Sequence, residues 1–334
     1  MLRCWIGRSR PRDGGEPGKP QPKQRTRQAG EIQPCTREPW SRGLGSLAMS
    51  PALCDLHLHS DASDGSVTPA QLARELGHVH LGVLTDHDTL AGTSAFIGAL
   101  DSDLRPPEGV ELSLNWSGGT FHLLVYGHSI VTSELAAMID QLALARRDRN
   151  LELLDRAQQL GLAISEAEVL EAAGAKDLLA KSVGRPHFAK VLLDRGYVES
   201  IQDAFDRYLA KGRPLYSPKT LFGIEEIGPM CAELGLVAVL AHPLTLGVPA
   251  SSLGATLRTF KRMGLAGVEC LYASYDPRKR AQLVEIAQEL GLLVTGGSDF
   301  HGSFKPGLAP VTGYGDLRVG AEIGDRLMMR LSQG

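Results

Sequence analysis

The chain has 334 residues, 43% hydrophobic and 22% charged, with a formal net charge of −3. Those shares exclude wholesale disorder and leave material for one large barrel or two ordinary domains. The longest apolar run, Leu234 to Ala241, falls far short of the roughly 18 residues a membrane span needs, and a mildly acidic chain is no general coat for nucleic acid.

Residues 1–48 differ from the rest. They carry ten Lys/Arg against four Asp/Glu, with six Pro and seven Gly. Such a segment buries too little surface to offset the entropy of ordering. It reads as a disordered basic leader, or as sequence upstream of a start at Met49. A basic nucleic-acid-binding tail and an organelle transit peptide are weaker readings, and the segment lacks the apolar core of a signal peptide. The five Cys (4, 35, 54, 231 and 270) form no C-x-x-C pair, which suits a reducing compartment. The expected location is the cytoplasm, with no membrane association and no obligate protein partner.

From residue 53 onward, short apolar runs alternate with amphipathic stretches. Strands are predicted at Leu53–His59, Leu81–Thr85, Gly109–Ser113, Phe121–Tyr126, Val237–Ala241, Gly267–Tyr272 and Leu292–Thr295. Helix starts carry caps: Thr68-Pro69-Ala70-Gln71, Ser165 with Glu168, and Asp276-Pro277 opening a helix that Gly291 ends. Alternating βα units imply a parallel sheet, and seven strands suit a closed but irregular barrel. Residues 133–218 break the rhythm, with helices predicted at 133–160, 165–173, 185–194 and 200–209. The predicted class is α/β, an irregular (β/α)7 barrel built from 49–132 and 219–334, with 133–218 inserted as a helical cap beside its mouth.

The histidines and carboxylates concentrate where parallel strands end, the face on which such folds place active sites. His57 and His59 in Asp-Leu-His-Leu-His are two apart on a strand and share a face. Asp64 follows in a loop that can fold back over the mouth. Thr85-Asp86-His87-Asp88 ends the second strand and Glu111 the third. His122 lies in the fourth, His242 ends the fifth, and Asp299 and His301 follow the last. A lone His in a strand is more often a hydrogen-bonded core residue, and an Asp after a strand is usually a helix cap. Nine such groups on six strands are different, because burying them unpaired costs several kcal/mol each. Divalent cations relieve that cost, and nine ligands exceed what one ion needs. Mixed N/O donors suit Mn, Fe or Zn and disfavour a pure Mg or Ca site. His78, His80 and His128 read as rim or surface residues, and Cys54 as a small buried hydrophobe.

This constellation resembles the PHP (polymerase and histidinol phosphatase) superfamily of metal-dependent phosphoesterases. The matching stretches are DLHLHSDASDGS (55–66), TDHDTLAG (85–92), GVELS (109–113), FHLLVYG (121–127), AHP (241–243) and GSDFHG (297–302). The nearest branch is that of 3′,5′-nucleoside bisphosphate phosphatases and a 5′-to-3′ exoribonuclease. Gly184-Arg185-Pro186-His187, Ala204-Phe205 and Leu209-Ala210-Lys211-Gly212 carry that likeness. The resemblance implies three metals, Mn foremost and Fe, Zn or Mg as alternatives. His57, His59, Glu111 and Asp299 would hold the first. Glu111 would bridge to a second with His122 and His242, and Asp64, His87 and His301 would hold the third. Metal-activated hydroxide would be the nucleophile, so no catalytic Ser or Cys is expected. Arg185, with help from His187 and Lys211, would bind the substrate's 5′-phosphate. Phe300, Phe304 and Tyr272 are candidates to stack on the base. Two departures, a short Asp101–Pro107 segment and His78-Val79-His80, bear on the rim only.

The implied activity is hydrolysis of the 3′ phosphoester of a nucleoside 3′,5′-bisphosphate, or of short RNA with a 5′-phosphate. A histidinol-phosphate phosphatase or other phosphomonoesterase is the alternative within enzymes. An amidohydrolase would want a bridging Lys that is not found, and a polymerase proofreading module would have to act as a separate subunit. A non-catalytic metal- or phosphate-binding regulator is the alternative of another class, against which the full ligand set argues.

Overall fold

The structure, a computed structural model, describes residues 52–179, 183–217 and 222–334. The leader 1–48 lies outside the described residues.

The strands are β1 (Cys54–Leu58), β2 (His78–Val79), β3 (Leu81–Leu84), β4 (Asp101–Ser102), β5 (Glu108–Leu114), β6 (Phe121–Gly127), β7 (Val237–Leu240), β8 (Gly267–Tyr272) and β9 (Leu293–Gly297). Seven of them match the predicted strands within two residues at each end. The two-residue pair β2 and β4 is too short to leave a periodic signal. Around the strands lie α1 (Pro69–Leu76), α2 (Thr93–Ile97), α3 (Glu134–Gln159), α4 (Glu166–Ala173), α5 (Arg185–Asp194), α6 (Ile201–Ala204), α7 (Ile224–Glu233), α8 (Ala250–Arg262), α9 (Pro277–Glu289) and α10 (Ala321–Leu331). The expected helix at 200–209 is α6 followed by a π turn over Phe205–Leu209.

The caps form as the sequence requires. Thr68 Oγ1 accepts from Gln71 N while Gln71 Oε1 accepts from Thr68 N, and Pro69 opens α1. Ser165 and Glu168 repeat the box at α4, and Asp276 accepts from Lys279 N at 2.9 Å at the start of α9. Each such cap is worth about 1 kcal/mol.

β1 and β3 pair in parallel, as do β2 and β4, and the other strands form one sheet in the order β5-β6-β7-β8-β9. Single bridges, Leu58 to Phe300 and His87 to Glu111, join the β1–β3 pair to the two edges of that sheet. The expectation of parallel strands throughout needs correction. β6 runs antiparallel to both β5 and β7. The reason is connection length: only residues 115–120 separate β5 from β6, which is a hairpin and no crossover.

Two apolar clusters flank the strands. One packs Val110, Leu112, Leu123 and Val125 against Leu135, Ile139 and Leu142 of α3 and Leu253 and Leu257 of α8. The other packs Leu56, Leu58, Leu81 and Val83 against Leu72 of α1 and Leu327 of α10. A third cluster belongs to the helices between β6 and β7, with Leu153, Leu154, Val169, Phe188, Leu192 and Leu209. So α3 contributes to two cores, and between its two apolar halves it buries Arg146 and Asn150.

Candidate metal centre and anion pocket

The site is built around Glu111. β5 carries it inward, 1% exposed. Its Oε2 lies 3.2 Å from His57 Nε2, 3.0 Å from His59 Nε2 and 3.1 Å from His87 Nδ1. Its Oε1 lies 2.9 Å from His122 Nδ1 and 3.0 Å from His242 Nε2. Five imidazoles thus face one carboxylate.

Asp299 closes the group from the other side, with Oδ1 at 3.5 Å from His57, 3.3 Å from His59 and 3.3 Å from His301. Asp64 sits above, 3.3 Å from His301 Nε2 and 3.7 Å from His87 Nε2. Its loop folds back as expected. Ser60 N and Oγ donate to Asp86 at 2.8 and 2.6 Å, Ser63 Oγ donates to the same carboxylate, and Gly65 N closes on Ser60 O at 2.9 Å. All nine residues singled out as ligands therefore converge.

The backbone is strained at this mouth. Asp88, His242 and Asp299 have φ of 49°, 26° and 54°, three of the four non-glycine residues on that side among those described. At Gly297 a Cβ would meet His57 Cβ at 2.4 Å, so only glycine lets β9 come this near β1.

Charge follows from the crowding. Burial works against an imidazolium at His57, yet Glu269, Glu111 and Asp299 raise its pKa well above the usual histidine value. Burial likewise opposes charge on Glu111, but His87, His57 and His122 hold it well below the carboxylate range. A field that favours a proton between these rings also favours a cation there. The donor set fits divalent metals. Oxygen and nitrogen donors fall into three groups, each with its atoms within 4.8 Å of one another: His57, His59, Glu111, Asp299; His87, Glu111, His122; and His59, Asp64, His87, His301. Buried His59 Nδ1 and Asp64 Oδ1 have no hydrogen-bond partner, which a metal would supply.

Sequence reasoning missed the residue that steadies this centre. Glu269 on β8 is fully buried. Its Oε1 meets His57 Nδ1 at 2.8 Å, and its Oε2 accepts from His242 N at 2.7 Å. It fixes which nitrogen of His57 points to the centre. The signal was present: Gly267-Val268-Glu269 repeats Gly109-Val110-Glu111, an acid in an otherwise apolar strand. Asp55 is a second such support, accepting from Ser298 N at 2.9 Å and Val311 N at 2.7 Å.

The substrate-side residues separate. Arg185, the first residue of α5, lines the mouth with His122, His242 and Lys305. Its guanidinium lies 5.8 Å from the Tyr216 ring centre and donates to Leu209 O at 3.3 Å. His187 is 1% exposed, and its Nδ1 accepts from Gly184 N at 3.0 Å. It caps the helix that presents Arg185 and does not line the mouth. Lys211 reaches Ser117 O at 2.5 Å, tying the insertion to the β5–β6 hairpin.

Two further arginines stand beside Arg185. Arg146 and Arg149, three apart on α3, line one cavity with Asp64, His87, His122 and Arg185. Arg146 pairs with Asp88, whose carboxylate also accepts from Ser113 N at 2.9 Å. Nε of Arg146 and Nε of Arg149 are buried without a hydrogen-bond partner. Burial, then Arg146 and Arg185, pull the Arg149 pKa down to about 9. Clustered guanidiniums with spare donors could hold an anion at the edge of the candidate metal centre. In the sequence these residues lie in Ala-Arg-Arg-Asp-Arg-Asn, which reads as the solvated face of a helix.

Of the expected base-stacking residues, Phe300 is buried in the core and Tyr272 donates to Asp299 Oδ2 at 2.8 Å. Phe304 meets His187 edge-on at 5.5 Å.

No family model matches the chain. Similarity to individual proteins is clear. The chain is 32% identical to the 5′-3′ exoribonuclease Rnm of Escherichia coli over 255 residues, 74% of this chain and 84% of that one. It is 29% identical to the 3′,5′-nucleoside bisphosphate phosphatase of Chromobacterium violaceum over 256 residues, 74% of this chain and 86% of that one. A solved structure of a proposed metal-dependent phosphoesterase from Bifidobacterium adolescentis superposes with a TM-score of 0.71 at 27% identity, covering 84% of this chain and 98% of that one. Shared length, shared fold and the convergence of all nine ligand-type side chains agree, and the chain belongs to the PHP superfamily of metal-dependent phosphoester hydrolases, with the 5′-3′ exoribonucleases and 3′,5′-nucleoside bisphosphate phosphatases.

Proposed function

We propose that the enzyme hydrolyses the 3′ phosphoester of substrates that carry a 5′-phosphate: nucleoside 3′,5′-bisphosphates and short 5′-phosphorylated RNA, the latter from its 5′ end. The observation that carries this is Glu111 with five imidazoles on its two oxygens. Glu111 belongs to two of the donor groups and would bridge two metals, and the site around it lies against a cluster of arginines. Two relatives, one named for a 3′,5′-nucleoside bisphosphate and one for RNA degraded 5′ to 3′, support this reading.

His57, His59, Glu111 and Asp299 would hold one ion, Glu111, His122 and His242 a second, and Asp64, His87 and His301 a third; manganese is the proposed metal. Such ions, when bound, acidify water and neutralise phosphate oxygens. The protein's part is placement. Glu269 orients His57, and Lys305, paired with Asp299, adds positive charge at the rim. Arg149 and Arg185 take the 5′-phosphate, with Arg146 held beside them by Asp88. Lys211 braces the wall that carries them. In this reading the two bridges join the strands into an irregular seven-stranded ring, 49–132 with 219–334, and 133–218 forms its cap.

Purified enzyme with Mn²⁺ should release phosphate from adenosine 3′,5′-bisphosphate and mononucleotides from a 5′-phosphorylated RNA oligomer. A 5′-hydroxyl oligomer should be a poor substrate, and Asp299→Ala should abolish turnover of all three. Equal rates on 5′-phosphate and 5′-hydroxyl RNA would remove the anchor. Turnover of histidinol phosphate alone would replace the substrate.

A further inference from the structure

A cavity of about 400 Å³ opens from the metal centre between the β5–β6 hairpin and the insertion. His122 stands at its inner end, Arg149 and Arg185 along one side, and Trp116, Phe205 and Tyr216 in its walls. The three rings are not equivalent. Trp116 is committed: its Nε1 donates to Leu246 O at 2.8 Å, and it meets Phe121 and Phe260 edge-on. Tyr216 is committed as well, because it backs the Arg185 guanidinium. Phe205 is half-buried and packs against the apolar cluster of the insertion, and among the described residues no ring stacks on it. It also lines the smaller cavity that holds Asp64, His87 and the arginines, so it sits where both cavities meet. The π turn that begins at Phe205 is a distortion that recurs at functional sites.

We infer that Phe205 is the stacking platform for the nucleobase whose 5′-phosphate the arginines hold, in a subsite that takes one nucleoside and reads no base edge. The inference rests on the proposed function, since it assumes a nucleotide substrate. The lining supports base indifference. Ser217 Oγ is spent on Glu152 and Lys211 on Ser117 O. Thr245 Oγ1 bonds the backbone and His242. The wall therefore offers one uncommitted π face, Phe205, and its uncommitted polar side chains, Asn115 and Thr120, are both exposed. Stacking tolerates any base, because every base has a π face.

The test uses the full chain with Mn²⁺ and five substrates: the 3′,5′-bisphosphates of adenosine, cytidine, guanosine and uridine, and ribose 3′,5′-bisphosphate, which has no base. The four nucleotides should agree in kcat/KM within about tenfold, and the abasic compound should show a higher KM. Phe205→Ala should raise KM for the nucleotides roughly tenfold to a hundredfold and leave the abasic compound unchanged, while Phe205→Trp restores them. An abasic substrate as good as the nucleotides, or a Phe205→Ala enzyme with unchanged KM, overturns the platform while leaving the phosphoesterase standing. Strong preference for one base overturns the indifference. No turnover of any of the five overturns the proposed function and the platform with it. Metal content of the Phe205→Ala enzyme, measured alongside, separates a lost platform from a collapsed site.

Discussion

The mouth formed by the strands and the face of the insertion opposite it meet at one site but are made in different ways. The strand side delivers imidazoles and carboxylates from the ends of β1, β3, β7 and β9, the middle of β5 and the start of β6, held by backbone ladders and by buried acids such as Glu269 and Asp55. The insertion delivers guanidiniums from α3 and α5, held by one ion pair to Asp88, a cap at His187 and a ring at Tyr216. The first arrangement suits ions that must not move during the reaction. The second suits a substrate that must enter and leave. The proposed chemistry and the proposed grip on substrate are thus divided between two parts of one chain.

The largest effect should come from the centre of the strand side. Glu111→Gln removes the charge that faces five imidazoles, and activity should fall on the order of a thousandfold or more, with bound metal falling as well by elemental analysis. A variant that kept full metal content would break the view of Glu111 as the bridge. Next, Glu269→Gln should weaken metal binding or activity about 10- to 100-fold, read by titrating activity against Mn²⁺. A normal metal titration would mean that β1 alone orients His57. On the insertion side, Arg149→Ala should raise KM for 5′-phosphorylated substrates about tenfold, the worth of one charged hydrogen bond, with kcat and metal content little changed. A fall in kcat with unchanged KM would place Arg149 in the chemistry and erase the division.

The smallest effect lies away from both. His80 bonds Asp103 at 3.0 Å and Asp325 at 2.8 Å, joining β4's edge to α10, while His78 shares Asp103 and also faces Asp101. Burial opposes its charge, but Asp325 and Asp103 outweigh that and raise its pKa. A raised histidine stabilises fully below its unfolded value of about 6.5 and stops doing so as pH climbs through the folded value. The stability difference between wild type and His80→Gln, from urea melts at saturating Mn²⁺, should be below about 1 kcal/mol and should shrink as pH rises. A difference that grew with pH would reverse the assignment.

The two parts were also unequally legible. Every metal-type ligand stood out because His and Asp are conspicuous against apolar strands, and the His-x-His of β1 fixes a shared face by itself. Glu269 hid inside β8, away from the strand end where site residues usually stand. Arg146 and Arg149 hid in a helix rich in charge, where only packing reveals which face is buried. The parallel expectation failed at β6 because hydrophobic alternation carries no strand direction. That information sat in the short Asn115–Thr120 connection.

The reversed direction of β6 has a consequence of scale. His122 reaches the mouth from the beginning of its strand, so the chain leaves β6 at the far end of the molecule. It must climb back before it can offer anything to substrate. The 26 residues of α3 do this, a rod of about 39 Å at 1.5 Å per residue. The helix is therefore a ruler. One residue added between Glu134 and Arg146 would turn both arginines by about 100° away from the ions, whereas a whole added turn would keep their heading and lift them by about 5.4 Å. The height of Arg146 and Arg149 above the mouth is thus set by a count of residues along α3 as well as by the Arg146–Asp88 pair at the site.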